Sequence, residues 1–182
     1  MPFTFAQLNL PGLVLITPRA FTDDRGFFME TFKATDFERA GIRTAFVQDN
    51  HSLSHKGILR GLHFQRPPKR QAKLVRVVKG SVWDVAVDLR PASKTYRRWT
   101  AVELSASNNT MLFIPAGFAH GFLALEDDTH LLYKCSAEYD PALDAGVRWD
   151  DPAIAVEWPT SDPVVSSKDQ DLPFLAETGE LD

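Results

Sequence analysis

The sequence predicts a mainly β protein, an antiparallel barrel or sandwich with a few short helices. Three observations predict it. Short runs rich in Val, Thr and aromatic residues recur from Phe46 to about Tyr139. Turn residues separate these runs at regular intervals. Only one stretch, ATDFERAGI from Ala34, carries the punctuation of a helix. The chain has 182 residues, 44% hydrophobic and 24% charged. That is enough to bury a substantial core, so one domain over 1–182 is expected.

Residues 2–19 read as strands broken at Pro11-Gly12. TDDRGFF reads as a turn at Asp23 to Gly26 feeding the apolar FFMETF. In ATDFERAGI, Thr35 is expected to cap a short helix and Gly41 to stop it. Then come the strand-like runs FVQDN, ILRGLHFQ, KLVRVV, SVWDVAVDL, TAVELS, TMLFIP, HGFLALE and HLLYKCSAEY. Lys79-Gly80 reads as the tip of a hairpin. From about residue 141 the pattern turns irregular and is expected to form a loop-rich arm against the barrel.

The net charge of −4 argues against non-specific nucleic-acid binding, which needs a basic footprint. A few local arginines still suffice for a small anionic ligand. The single cysteine, Cys135, excludes an internal disulfide and a cysteine-based zinc site. The start, MPFTFAQLNLPG, has no basic segment followed by an apolar one, and no apolar run reaches membrane-spanning length. A soluble cytoplasmic protein is expected, with no membrane partner.

Arg60, His63, Lys73, Asp84, His120 and Tyr133 sit among apolar neighbours in the strand-like runs. Each has a simple structural reading. His63 and His120 fit hydrogen-bonded core residues. Lys73 faces solvent if strict alternation holds. Tyr133 packs with its hydroxyl wet. Asp84 faces solvent or pairs with Lys73, and Arg25 is a turn residue. Taken together they are too many, because a charged group inside a barrel is costly unless paired. A polar interior points to a ligand site.

PAGFAH is close to the second half of the cupin metal signature, PxGxxH. The first half needs two histidines one residue apart and a glutamate. HFQRPPKRQ offers only His63. Two imidazoles without carboxylate support are too few for a first-row metal, so no metal is expected.

DDRGFFMETF, the long segment from QDNHSLS through LRGLHFQ and QAKLVR to DLRPAS, LFIPAGFAHGFLAL, YKCSAEYDP, WDDPAIAVEWP and SSKD occur here in one order. In these segments, which span nearly the whole chain, it resembles the dTDP-4-dehydrorhamnose 3,5-epimerases, a non-metal branch of the cupin superfamily. The resemblance implies a cupin jelly roll and a cofactor-independent isomerase. Its substrate is dTDP-4-dehydro-6-deoxy-D-glucose, inverted at C3 and C5 for rhamnose and polysaccharide biosynthesis. It also implies a homodimer whose N-terminal segments reach the partner.

By the same resemblance His63 is the base, Asp169 in SSKD its orienting carboxylate, Tyr133 the acid on the opposite face and Lys73 the enolate stabiliser. Arg25 and Arg60 bind the diphosphate. Glu30, Gln48 and Asn50 contact nucleotide or sugar, and Phe28 (or Phe21) stacks on the base. His120, Tyr139, Asp144 and Lys168 are further ligand contacts. Two departures stand out: Asp144 where the family often has Glu, and YRRW at 96–99 where a glycine is more familiar. Alternatives remain open. They are a mono-epimerase acting at C3 or C5 alone, a metal-dependent cupin, and a non-catalytic sugar-nucleotide binder. The trio that the resemblance assigns, His63, Tyr133 and Asp169, favours an enzyme over a binder, which has no need of all three. Both carbons flank a ketone, so inversion needs a base, an oxyanion stabiliser and an acid, and no hydride moves.

Overall fold

A computed structural model describes residues 2–178. Two sheets face each other. The first has six strands, β1 (Phe3–Gln7), β2 (Val14–Pro18), β5 (Gln48–Ser54), β7 (Lys73–Lys79), β10 (Met111–Ile114) and β12 (Thr129–Cys135), in spatial order β1-β2-β10-β7-β12-β5. The second holds β6 (Ile58–Gln65), β8 (Ser81–Asp88), β9 (Trp99–Ser105), β11 (Phe118–Ala124) and β13 (Asp144–Gly146), in order β13-β6-β11-β8-β9. Apart from β14 (Val164–Val165), which runs parallel to β6, all the pairings are antiparallel. The fold is the expected mainly β jelly roll.

Alternation drives the packing. On β7, Val75 and Val77 point inward with Leu131, Leu112, Phe118 and Phe122 from neighbouring strands, forming the core between the sheets. Arg76 and Val78 point outward. A second cluster lies outside the first sheet, where Phe37 contacts Phe3, Phe5 and Phe32 at ring-centroid distances of 4.8–5.4 Å. Residues beyond 141 supply Val147, Ile154 and Leu175 to a third cluster against Leu62, Val85 and Val87 of the second sheet.

Several local expectations need correction. Lys79-Gly80 is not a hairpin tip. β7 and β8 belong to different sheets, and Gly80, at φ +76°, turns the chain from one to the other. Thr129 crowds the place where a Cβ would stand, so glycine fits there for two reasons. Helix α1 spans Ala34–Arg39 and its cap is Lys33, not Thr35. The Lys33 carbonyl accepts from the N–H groups of Asp36 and Phe37, so the first turn opens before Thr35. Gly41 does end the helix, at φ +89°. The run FVQDN becomes strand only from Gln48. The DDRG turn is the tip of a hairpin between β3 (Phe21–Asp23) and β4 (Gly26–Phe28).

Candidate active site

Arg60 and His63 are three residues apart, a spacing that puts side chains on opposite faces of a regular strand. Between them the register of β6 against β11 shifts: His63 pairs with His120, but Arg60 pairs with Phe122. That irregularity lets His63 face the cavity while Arg60, on the same side, stays exposed at its edge. It is possible because Gly61 and Gly121 pack backbone to backbone. A Cβ on Gly61 would stand 2.6 Å from the Gly121 Cα.

The same spot receives the C-terminal arm. β14 pairs with Ile58 and Leu59, which lays the short helix α2 (Ser167–Gln170) beside Gly61–His63. The Ser166 hydroxyl caps α2 by accepting from the Asp169 N–H at 3.1 Å. Asp169 is buried. Its Oδ1 lies 2.8 Å from His63 Nε2, and its Oδ2 accepts from the Gly61 N–H at 3.1 Å. Burial pushes this carboxyl up, but the bonds from His63 and Gly61 outweigh it and hold it below the ordinary value. With Nε2 committed to Asp169, the other ring nitrogen carries the lone pair.

His63 lines one wall of a cavity of about 390 Å³ between the two sheets. Gln48 and Asn50 of β5, Lys73 of β7, and Tyr133 and Cys135 of β12 line the opposite wall. Tyr139, Asp144 and Lys168 stand with them. Lys73 is buried, contrary to simple alternation from an exposed start. It pairs in register with Cys135, which places it on the inner face of the sheet. Burial pushes its ammonium below the ordinary lysine value, and the nearby Cys135, Asp84 and Asp144 partly offset this. Burial likewise raises the phenol of Tyr133, while Arg60 draws it back down.

Asp84 does not pair directly with Lys73, as one sequence reading held. It is fully buried, and both its carboxylate oxygens lie within 3.1 Å of His120 Nε2. His120 is itself buried and sits behind His63 rather than on the cavity wall. Arg60 is held just outside the wall by the Ser54 hydroxyl at 3.1 Å and the Leu53 carbonyl at 3.1 Å. At the mouth, Asp144 accepts from Lys168 at 2.6 Å and from the Tyr139 hydroxyl at 3.2 Å. The shorter carboxylate therefore has partners of its own.

Three of the expected residues are elsewhere. Arg25, at the tip of the β3–β4 hairpin, points into solvent and pairs with Asp23 at 2.5 Å. Phe28 and Glu30 line a separate recess with Arg19, Phe21 and Lys33. Sequence reasoning missed Gln71, Phe64, Gln65 and Cys135, all of which line the cavity. Gln71 and Cys135 lie inside QAKLVR and YKC, so the motifs contained them without marking their direction. The described residues bring no three His, Cys, Asp or Glu side chains together as a metal-holding group.

The family model for dTDP-4-dehydrorhamnose 3,5-epimerase matches residues 7–177. A dTDP-4-dehydrorhamnose 3,5-epimerase of Methanothermobacter thermautotrophicus is 51% identical over 178 residues, covering 96% of each chain. Among solved structures, the dTDP-4-dehydrorhamnose 3,5-epimerase of Bacillus anthracis, with TDP and PPi bound, superposes at a TM-score of 0.93. It is 44% identical and covers 95% of this chain and 99% of its own. The dTDP-6-deoxy-D-glucose-3,5-epimerase of Legionella pneumophila, in complex with dTDP-4-keto-L-rhamnose, also gives 0.93, at 40% identity over 97% of this chain and 94% of its own.

Proposed function

The chain belongs to the dTDP-4-dehydrorhamnose 3,5-epimerase family, and on that premise we propose that it inverts C3 and C5 of dTDP-4-dehydro-6-deoxy-D-glucose through enolates. One observation carries the reading: His63 and Tyr133 line a single cavity from opposite sheets, with Lys73 beside Tyr133. Inversion at a carbon needs a proton removed from one face and another delivered to the other, which two walls provide.

In this reading His63 removes the proton from the carbon next to the C4 ketone. Asp169 holds the ring and stabilises the imidazolium that forms. The electron pair moves to the ketone oxygen, where the Lys73 ammonium meets the developing charge in a site shielded from water. Tyr133 protonates the carbon from the opposite face and becomes a phenolate. Proton exchange with solvent returns His63 and Tyr133 to their starting states before the second carbon reacts. The substrate ends at the oxidation level at which it began, so the chemistry calls for no hydride carrier. Gln48, Asn50, Tyr139, Asp144 and Lys168, all on the cavity wall, are the ligand contacts this reading uses. Arg60 and His120 act from just behind it.

Arg25, Phe28 and Glu30 complete the site from a second copy of the chain. Their distance from their own cavity supports this, as does the hairpin's exposed apolar surface: Phe27 is 61% and Phe28 67% exposed. A homodimer of this kind leaves each cavity unfinished in one copy alone. The reading places the enzyme in the cytoplasm, and no described helix is long and apolar enough to cross a membrane.

The test is incubation of purified protein with dTDP-4-dehydro-6-deoxy-D-glucose in D2O, followed by NMR. Deuterium at both C3 and C5, with a rhamno-configured product, is expected. Deuterium at one carbon alone makes the protein a mono-epimerase. No deuterium, with dTDP still bound, makes it a sugar-nucleotide binder.

A further inference from the structure

The amides on the cavity wall form a row of hydrogen bonds with one direction. Gln48 and Asn50 alternate with outward-facing residues on β5, so both line the cavity. The backbone N–H of Tyr139 donates to Gln48 Oε1 at 2.7 Å. Gln48 Nε2 donates to Asn50 Oδ1 at 3.0 Å, and Asn50 Nδ2 donates to Cys135 Sγ at 3.5 Å. A backbone N–H only donates, so Gln48 has to turn its oxygen toward Tyr139. That turns the Gln48 nitrogen to Asn50, and in consequence the Asn50 nitrogen to Cys135.

Cys135 ends the row. It is buried and pairs in register with Lys73, which puts its sulfur on the same inner face as the ammonium. Lys73 is only 9% exposed, and among the described residues no hydrogen bond or ion pair holds its ammonium. A buried cation left unpaired in a cavity is set for the oxygens of a ligand. Burial pushes the Cys135 thiol up, and the Lys73 charge and the Asn50 bond offset this only in part. The sulfur is therefore a neutral acceptor at neutral pH. It holds Asn50 without cancelling the charge of Lys73, as a carboxylate in its place would.

Each amide nitrogen carries two hydrogens and commits one to the row, which leaves Gln48 and Asn50 one N–H each for a ligand. We propose that Cys135 is the positioning residue that fixes this polarity. By holding Asn50 through its nitrogen, it makes Gln48 and Asn50 offer N–H groups to the ligand's oxygens, beside the Lys73 ammonium. The C4 oxygen, as it gains enolate charge, is one of those oxygens. The proposal rests on the epimerase reading above and deepens it. Without an acceptor at position 135, Asn50 is free to present its carbonyl oxygen, which repels the enolate oxygen it should stabilise.

Three substitutions separate polarity from packing. Cys135→Ser keeps a neutral acceptor, Cys135→Val keeps the bulk without one, and Cys135→Ala keeps neither. Thermal melts establish that each variant is folded, and inversion of dTDP-4-dehydro-6-deoxy-D-glucose in D2O gives kcat and KM. The valine and alanine variants should lose about tenfold or more in kcat with a smaller change in KM, because the charge these donors meet grows only in the transition state. The serine variant should stay within about threefold of wild type, since its hydroxyl still accepts from Asn50. A valine variant at the wild-type kcat, a serine variant that falls as far as valine, or a loss confined to KM makes Cys135 a packing residue and overturns the proposal, while inversion by the wild type leaves the epimerase reading standing. A wild type that inverts neither carbon overturns that reading and this proposal with it.

Discussion

His63 and Tyr133 belong to different sheets, β6 and β12, yet they line the same cavity. Each reaches it for a separate reason: a register shift opposite Gly121 turns His63 inward, and strict alternation on β12 turns Tyr133 inward with Leu131 and Cys135. A base and an acid on facing walls is the arrangement that distinguishes inversion from simple exchange.

Removing the base should abolish deuterium uptake at both carbons while leaving dTDP affinity within a few-fold. His63→Ala checks this, with uptake read by NMR and binding by calorimetry. Asp169→Asn keeps the shape but loses the carboxylate that stabilises the imidazolium. Its kcat should fall about 10²–10⁴-fold, with a smaller change in KM. An unchanged kcat would remove Asp169 from the catalytic group.

Lys73 links activity and stability with opposite signs. Its folded pKa is lowered, chiefly by burial. Between that value and the ordinary lysine value, the unfolded chain binds more protons than the folded one, so stability rises with pH across this window. At neutral pH the buried ammonium is a liability. Lys73→Met should therefore raise stability by about 1 kcal/mol or more, roughly 2–4 °C in Tm, while kcat collapses. In the wild type, activity should fall on the alkaline side at a pH below that of an ordinary lysine. A Lys73→Met protein that melts lower at pH 7 would contradict the burial argument.

Asp88 governs the acid limb of stability. It is fully buried, and its oxygens accept from Arg90, Ser93 and Thr95 at 2.6–2.8 Å. Burial pushes its carboxyl up, but these bonds outweigh it and bring the pKa to about 2. A depressed carboxyl stabilises above its unfolded value and loses that contribution as pH falls through the folded one. The shift corresponds to about 2 kcal/mol, lost between about pH 4 and pH 2. Asp88→Asn should lower stability at pH 7 by about this amount and flatten the acid limb in denaturant titrations.

Gly61 has no room for a side chain. Gly61→Ala would drive a methyl into the Gly121 Cα, and the Gly61 N–H is a partner of Asp169. The variant should lose about 1–3 kcal/mol of stability and at least tenfold in kcat, through a displaced Asp169. Equal losses in Gly61→Ala and in a control alanine at Lys79, exposed at the far end of β7, would argue against this coupling.

Much of the sheet architecture was legible because alternation and turn residues are local signals. The site was legible mainly through its motifs, and the failures came where long-range geometry overrides local pattern. Gly80 looks like a hairpin tip, but which sheet receives β8 is decided by partners some 40 residues downstream on β11. Lys73 looks exposed until its pairing with Cys135 fixes the face. Asp84 reads in sequence as facing solvent or pairing with Lys73, and the neighbouring strand β11 brings His120 to it instead. β13, β14 and α2 are too short to show a period, so the arm that delivers Asp169 read as loop. Within YRRW at 96–99, the stretch where a glycine is more familiar, Arg97 sits at φ +67° in the left-handed region that favours glycine. The departure noticed in sequence marks a real backbone turn, but no effect on the cavity follows from it.

The most direct test of the two-wall account is Tyr133→Phe in D2O with dTDP-4-dehydro-6-deoxy-D-glucose, following deuterium and configuration together. With the acid gone and the base intact, deuterium should still enter from the His63 side, while inversion falls at least about 10²-fold. Loss of exchange and inversion in equal measure, or inversion at the wild-type rate, would contradict the assignment of His63 and Tyr133 to opposite faces.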